Sequence, residues 1–175
     1  MEDSKVFIIT GEQGRGKTTF LKLLLPELER LDIKVIGFYA DGQWKNDVRV
    51  RFDVVDIQSR KSHLLCSDEP NAEFERIGRY YFDPKTILWG EDLLLNEDRT
   101  GKCLFVIDEI GKFEIAQKVW HNVLRELLDI RMPILITVRK EILERVIEYF
   151  QIQDPIVFRL DSTQKKVAQA IAGQL

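Results

Sequence analysis

The stretch from Val6 to Thr19 constrains this chain more than any other. Gly11 is followed by four residues and then by Gly16, Lys17 and Thr18, the spacing G-x-x-x-x-G-K-[ST] of a phosphate-binding P-loop. Ahead of it, Val6, Phe7, Ile8 and Ile9 read as a buried parallel strand. Behind it, the run from Thr19 to Leu31 carries Phe20, Leu21, Leu23, Leu24, Leu25, Leu28 and Leu31 at helical spacing. Glycines at 11, 14 and 16 let the backbone turn tightly and bring its N–H groups against phosphate oxygens. The helix start adds unsatisfied N–H groups and the positive end of its dipole. Lys17 is placed to reach the β- and γ-phosphates of a nucleotide, and the Thr18 hydroxyl to ligate Mg²⁺. The candidate nucleotide-binding set is Gly11, Glu12, Gln13, Gly14, Arg15, Gly16, Lys17, Thr18 and Thr19. A glycine-rich turn that merely carries a lysine is the competing reading, and the flanking strand and helix argue against it.

The second landmark is the run from Cys103 to Gly111, in which Leu104, Phe105, Val106 and Ile107 end in Asp108 and Glu109. Such a strand buries its apolar residues and delivers the acids at its carboxyl end, where ligands collect in α/β sheets. Asp108 is the expected second Mg²⁺ residue beside Thr18, and Glu109 the residue that orients or deprotonates an attacking water. Strand alternation sends these neighbouring side chains to opposite sides. Acids at strand ends are common, so the pattern gains its weight from the P-loop. Lys17 and Glu109 are therefore the candidate catalytic pair.

Composition narrows the class. Charged residues make up 31% and hydrophobic ones 45%, ordinary for a globular chain, and 175 residues suit a single domain spanning 1–175. A net charge of −3 and the lack of a basic run give no sign of a nucleic-acid surface. Cys66 and Cys103 lie far apart without metal-ligand spacing and read as buried free thiols in a reducing compartment. His63 and His121 are isolated and read as structural. A strand begins too early for a signal peptide, and no segment is long enough to span a membrane. The expectation is a cytoplasmic protein, with its oligomeric state left open.

Along the chain, 34–40 predicts a second strand, followed by a polar connection from Asp41 through Asp47. Val48, Val50, Phe52 and Val54 alternate with Arg49, Arg51 and Asp53, which predicts a half-exposed antiparallel strand. A short strand is expected over 62–66 and another over 79–82, with an uninformative loop from Ser67 to Ile77. Asp83-Pro84 marks the start of a helix running to Leu95. An amphipathic helix is predicted over 115–130, with Val119, Val123, Leu124, Leu127 and Leu128 packed. A strand over 133–138, a helix over 141–150, a strand over 155–160 and a helix capped by Ser162 complete the chain. The fold class is α/β: a mostly parallel central sheet flanked by helices, with an inserted antiparallel β-meander.

The details resemble the small cancer-related nucleoside-triphosphatase family of P-loop NTPases. The likeness is carried by residues 10–19, 35–39 and 48–55, by Gly78-Arg79-Tyr80, and above all by Ile107-Asp-Glu-Ile-Gly-Lys-Phe-Glu114. It implies Mg²⁺-dependent hydrolysis of the β–γ bond of ATP, GTP and related triphosphates with broad base tolerance. The chain departs from the family pattern at residues 40–45, at Arg51 and at Asp161-Ser-Thr-Gln164, positions that bear on base contacts.

Several residues keep two readings. Lys112 and Glu114 match the family motif, yet a first-turn glutamate is also a routine dipole partner. Arg139 follows a strand and is either a γ-phosphate contact or a solvated arginine. Arg49 matches a family arginine but is explained by strand alternation alone, and Trp44 and Trp89 are candidates for stacking a base. Two other functions share the motifs: a nucleotide or small-molecule kinase, in which an acceptor replaces water, and a nucleotide-dependent switch with little turnover. Such kinases generally need an arginine-rich lid or acceptor pocket, and no arginine cluster of that kind stands out in the sequence.

Overall fold

The computed structural model describes residues 5–175. β1 (Val6–Gly11) leads through the glycine-rich loop into α1 (Lys17–Glu29). β2 (Lys34–Lys45), β3 (Val48–Asp56), β4 (Ser62–Ser67), β5 (Glu75–Ile77) and β6 (Tyr80–Phe82) form the strand-rich middle. α2 (Pro84–Asn96), β7 (Cys103–Ile110), the short α3 (Lys112–Ile115) and α4 (His121–Asp129) follow. β8 (Ile134–Arg139), α5 (Leu143–Phe150), β9 (Ile156–Arg159) and α6 (Gln164–Ala172) complete the order.

Among the described residues the strands make one nine-stranded sheet in the order β5-β6-β4-β3-β2-β7-β8-β1-β9. The expectation of a mostly parallel sheet is corrected: the sheet is mixed. The pairs from β2 through β7, β8 and β1 to β9 are parallel, and those from β2 through β3, β4 and β6 to β5 are antiparallel. The expected antiparallel meander is present between β2 and β7, and it extends the parallel strands edge to edge through the β2–β3 pairing. α1 and α6 cover one face through Leu21, Leu24, Leu28, Val167 and Ile171. α2, α4 and α5 cover the other through Leu94, Val123, Leu124, Leu127, Val146 and Phe150. The central strands β1, β7 and β8 are buried on both faces, which explains their unbroken apolar runs.

Five local expectations change. The loop expected from Ser67 to Ile77 ends in a strand, β5, which pairs antiparallel with β6. The connection predicted from Asp41 is instead strand: β2 runs on to Lys45 and turns at Asn46 and Asp47, both left-handed (φ 50° and 59°), as a two-residue hairpin prefers. In β3 the alternation breaks. Gln43 pairs with Arg51 but Trp44 pairs with Arg49, so Val50 is an extra residue in a β-bulge, and a bulge re-aims its neighbours. The single helix predicted over 115–130 is two pieces, because Gln117 (φ 61°) and Val119 (φ 52°) leave the helical region between α3 and α4. The last helix is capped by the Thr163 hydroxyl, which accepts from Lys166 N–H, rather than by Ser162. The Asp83 cap is as expected, its carboxylate accepting from Lys85 N–H at 2.9 Å.

Candidate active site

The loop between β1 and α1 is shaped by its glycines. Gly14 (φ 71°) and Gly16 (φ 94°) occupy the left-handed region, where a side chain would be strained. Among the described residues, the N–H groups of Gly14, Gly16, Lys17 and Thr18 meet no protein acceptor, so they are free for an anion at the helix start. Lys17 is buried at 5% exposure, with Nζ donating to the carbonyls of Glu12 (3.2 Å) and Gly11 (3.4 Å). Glu12 and Arg15 pair at the exposed surface of the loop, and Gln13 and Thr19 are also exposed.

Parallel pairing brings the carboxyl ends of β1, β7 and β8 together, and with them the two acids. Asp108 is 1% exposed. It accepts from the Thr18 hydroxyl (2.8 Å), from Ala40 N–H (3.2 Å) and from the buried Thr137 hydroxyl. Burial pushes its carboxyl up to about 6, against the lowering effect of the two hydroxyls. Glu109 accepts from Arg139 Nε at 2.8 Å and lies 3.7 Å from Lys17 Nζ. The two side chains therefore do not part to opposite sides as strict alternation requires. The β7–β8 register shifts between Ile107 and Ile110, and both carboxylates reach P-loop residues, Asp108 to Thr18 and Glu109 to Lys17.

Beyond the acids opens a cleft of about 430 Å³. Gln13, Thr18, Asp108, Glu109 and Arg139 line it where it meets the P-loop, and Phe52, Tyr80, Phe82, Phe113 and Trp120 line it elsewhere. Trp120, 2% exposed, packs on Phe38 at 4.4 Å and across Gly90, where a Cβ would come within 2.7 Å of the indole. Sequence reading did not single out Trp120; its only signal is a large aromatic at the start of an amphipathic helix.

The undecided residues now have places. Glu114 is fully buried at the N-terminus of α3, accepting from Gly111 N–H (2.8 Å) and Trp120 N–H (3.4 Å), and burial pushes its carboxyl up to about 7. Lys112 lines the cleft with its ammonium 5.2 Å from the Phe113 ring. Arg139 is not simply solvated, since it binds Glu109. Arg49 is brought onto the cleft face by the bulge: a Cβ on Gly42 would meet both Arg49 Cδ (3.0 Å) and the Phe52 ring (3.2 Å). Alternation alone therefore does not describe Arg49. Trp44 is 57% exposed beneath the Arg49 guanidinium, and Trp89 packs on His63, outside the cleft.

Comparisons with known proteins identify the family. A sequence model of the NTPase family matches residues 6–172. The nucleoside-triphosphatase THEP1 of Thermotoga maritima is 27% identical over 158 residues, covering 90% of this chain and 87% of that protein. The protein of the same name from Natranaerobius thermophilus is 31% identical over 144 residues, 81% of this chain and 78% of its own length. The solution structure of a human cancer-related nucleoside triphosphatase superposes with a TM-score of 0.71 at 27% identity, covering 98% of this chain and 97% of that one. With its P-loop, its paired acids and nearly its whole length accounted for, the chain belongs to the NTPase family.

Proposed function

We propose that this chain is a Mg²⁺-dependent nucleoside-triphosphate phosphohydrolase that cleaves the β–γ phosphoanhydride of ATP, GTP and related triphosphates. The observation that carries the reading is the meeting of Lys17 with Glu109 and of Thr18 with Asp108 at one end of the sheet.

Thr18 and Asp108 suit Mg²⁺. Both offer hard oxygen ligands 2.8 Å apart, and no cluster of three His, Cys, Asp or Glu among the described residues competes for a softer metal. Thr18 and Asp108 are the residues that would hold such an ion. Bound there, the ion neutralises charge on the β- and γ-phosphates. The free N–H groups of the loop hold the β-phosphate, and Lys17 turns from the Gly11 and Glu12 carbonyls to the β/γ oxygens. Arg139 supplies a second cation where charge develops on the transferred phosphoryl group. Both partners of Glu109 are then engaged by phosphate. The freed carboxylate takes a proton from a water in the cleft as that water attacks the γ-phosphorus and the diphosphate leaves.

Loose base selection follows from the side chains at hand: Trp44 lies at an exposed hairpin and Trp89 is packed away from the cleft. Two buried free thiols fit a reducing compartment, hence a cytoplasmic enzyme, and 175 residues fit a single domain. No nucleic-acid partner is expected at a net charge of −3. Incubation with Mg²⁺ and ATP, GTP, CTP or UTP should release orthophosphate from each, and EDTA should stop it. Binding without orthophosphate release would point to a switch instead, and strict preference for one base would contradict the loose-base reading.

A further inference from the structure

The end of the cleft at Thr18, Asp108 and Glu109 takes a γ-phosphate and one water, yet the whole cleft measures about 430 Å³. That is the scale of a site for a small organic ligand. Its walls suit a flat ring. Phe52 meets Tyr80 edge-on at 5.7 Å, and Phe82 meets Phe113 edge-on at 5.2 Å, so these rings are already fixed in place. Cys66 adds a thiol that burial keeps protonated, which leaves this wall apolar.

The same cleft carries cations that the hydrolytic reading leaves unused. Arg49 has no carboxylate within 4 Å among the described residues; its guanidinium rests 4.8 Å over the Trp44 ring and 5.6 Å over Phe52. The β-bulge at Val50 puts it there, against the alternation of its strand. Lys112 stands over Phe113 on another wall. Bulges that redirect a charged side chain recur beside binding sites. Gln13, Thr18, Asp108, Glu109 and Arg139 line the end of the cleft that meets the P-loop, so a triphosphate seated on the loop takes up that end and leaves the wall of Phe52, Tyr80, Phe113, Arg49 and Lys112 uncovered.

We propose that the cleft is a second binding site, for a flat heteroaromatic anion of the nucleoside 5′-monophosphate class. Its ring lies among Phe52, Tyr80 and Phe113 and its anionic group meets Arg49 and Lys112. The site rests on the P-loop reading above, because the triphosphate must sit on the loop for that wall to remain free.

The test uses the full chain saturated with Mg²⁺ and a non-hydrolysable ATP analogue. AMP, GMP, CMP and UMP are each titrated in by equilibrium dialysis. At least one monophosphate should bind with one-to-one stoichiometry. Arg49→Met and Phe113→Leu should each weaken it about tenfold more than they weaken the analogue, and Arg49→Met alone decides the matter if Phe113→Leu does not fold. Failure of all four monophosphates to bind, or binding that Arg49→Met leaves intact, overturns the proposal. Failure of the P-loop reading is distinct: the analogue itself would then bind no better to the parent than to Lys17→Ala, which a separate titration of the analogue into both proteins measures.

Discussion

Glu109 accepts a hydrogen bond from Arg139 at 2.8 Å. Its other oxygen lies 3.7 Å from Lys17 Nζ, so the proposed base stands between two cations before any substrate arrives. A triphosphate competes for both partners of Glu109. Substrate binding and exposure of the base are thereby linked.

This arrangement sets the outcome for Glu109→Gln. The amide keeps the size of the side chain but cannot take a proton, and loss of a general base slows a reaction by ~10²–10⁴-fold. Affinity for Mg²⁺-nucleotide should be kept or improved, since Lys17 loses a competing partner. Single-turnover rates beside equilibrium binding measure both. Parental turnover would move water activation elsewhere, with Glu114 the next carboxylate in the cleft.

Arg139→Met separates two roles of the guanidinium. If it only restrains Glu109, its loss frees the base and speeds turnover. A cation that meets the γ-phosphate gives the opposite, a loss of roughly 10²-fold or more. The loss is expected, because Arg139 and Lys17 flank the same carboxylate and a γ-phosphate drawn to one lies near the other.

Lys17→Ala should abolish turnover and lower triphosphate affinity far more than diphosphate or monophosphate affinity, because the ammonium serves the terminal phosphates. A fluorescent-nucleotide competition series gives the ratio. Equal losses across the series would mean that Lys17 only shapes the loop, through the carbonyls of Gly11 and Glu12.

Much of this site was legible because it is written in contiguous residues. The loop from Gly11 to Thr18 and the strand ending in Asp108 each announce themselves by local pattern, and parallel pairing of β1, β8 and β7 brings them together. What stayed hidden depends on departures from regular period. Arg49 reaches the cleft only through a bulge, which its alternating neighbours conceal. Trp120 enters it because the helix predicted over 115–130 breaks at Gln117 and Val119; a β-branched valine at φ 52° is not foreseeable from propensity. The sheet was misjudged for a related reason. Pattern distinguishes a buried strand from a half-exposed one, but it does not tell whether an antiparallel meander stands apart or extends the parallel strands.

Asp108→Asn should raise the Mg²⁺ concentration needed for half-maximal turnover by an order of magnitude or more, since a neutral amide replaces the buried carboxylate that touches Thr18. Thr137→Val removes a hydroxyl that donates to the Asp108 oxygen other than the one Thr18 meets. A smaller shift in the same direction is expected. Mg²⁺ titrations at saturating nucleotide compare the two, and an unshifted Asp108→Asn curve would remove Asp108 from the metal site.

Glu114 makes the pH dependence of stability testable. Burial pushes its carboxyl up to about 7 from an ordinary 4.5, with the Glu109 charge adding to the rise and the Gly111 and Trp120 N–H groups opposing it. Between those values the folded chain holds a proton that the unfolded chain has released. The stability linked to this proton is fully present below about pH 4.5 and is lost as pH rises through about 7. The whole change is on the order of 3 kcal/mol. Glu114→Gln carries no such proton. Its amide oxygen still accepts from Gly111 N–H, but its NH₂ group is left facing Trp120 N–H, a loss felt at every pH. The variant should therefore be the less stable protein near pH 5 and should close or reverse that gap by pH 8. Asp108, also pushed up by burial, gives both proteins a slope of the same sign, so the difference between them isolates Glu114. Denaturant unfolding of parent and variant at unit pH steps from 5 to 8 measures it. Parallel curves would show that Glu114 is already ionised in the folded protein and that its role is confined to capping α3.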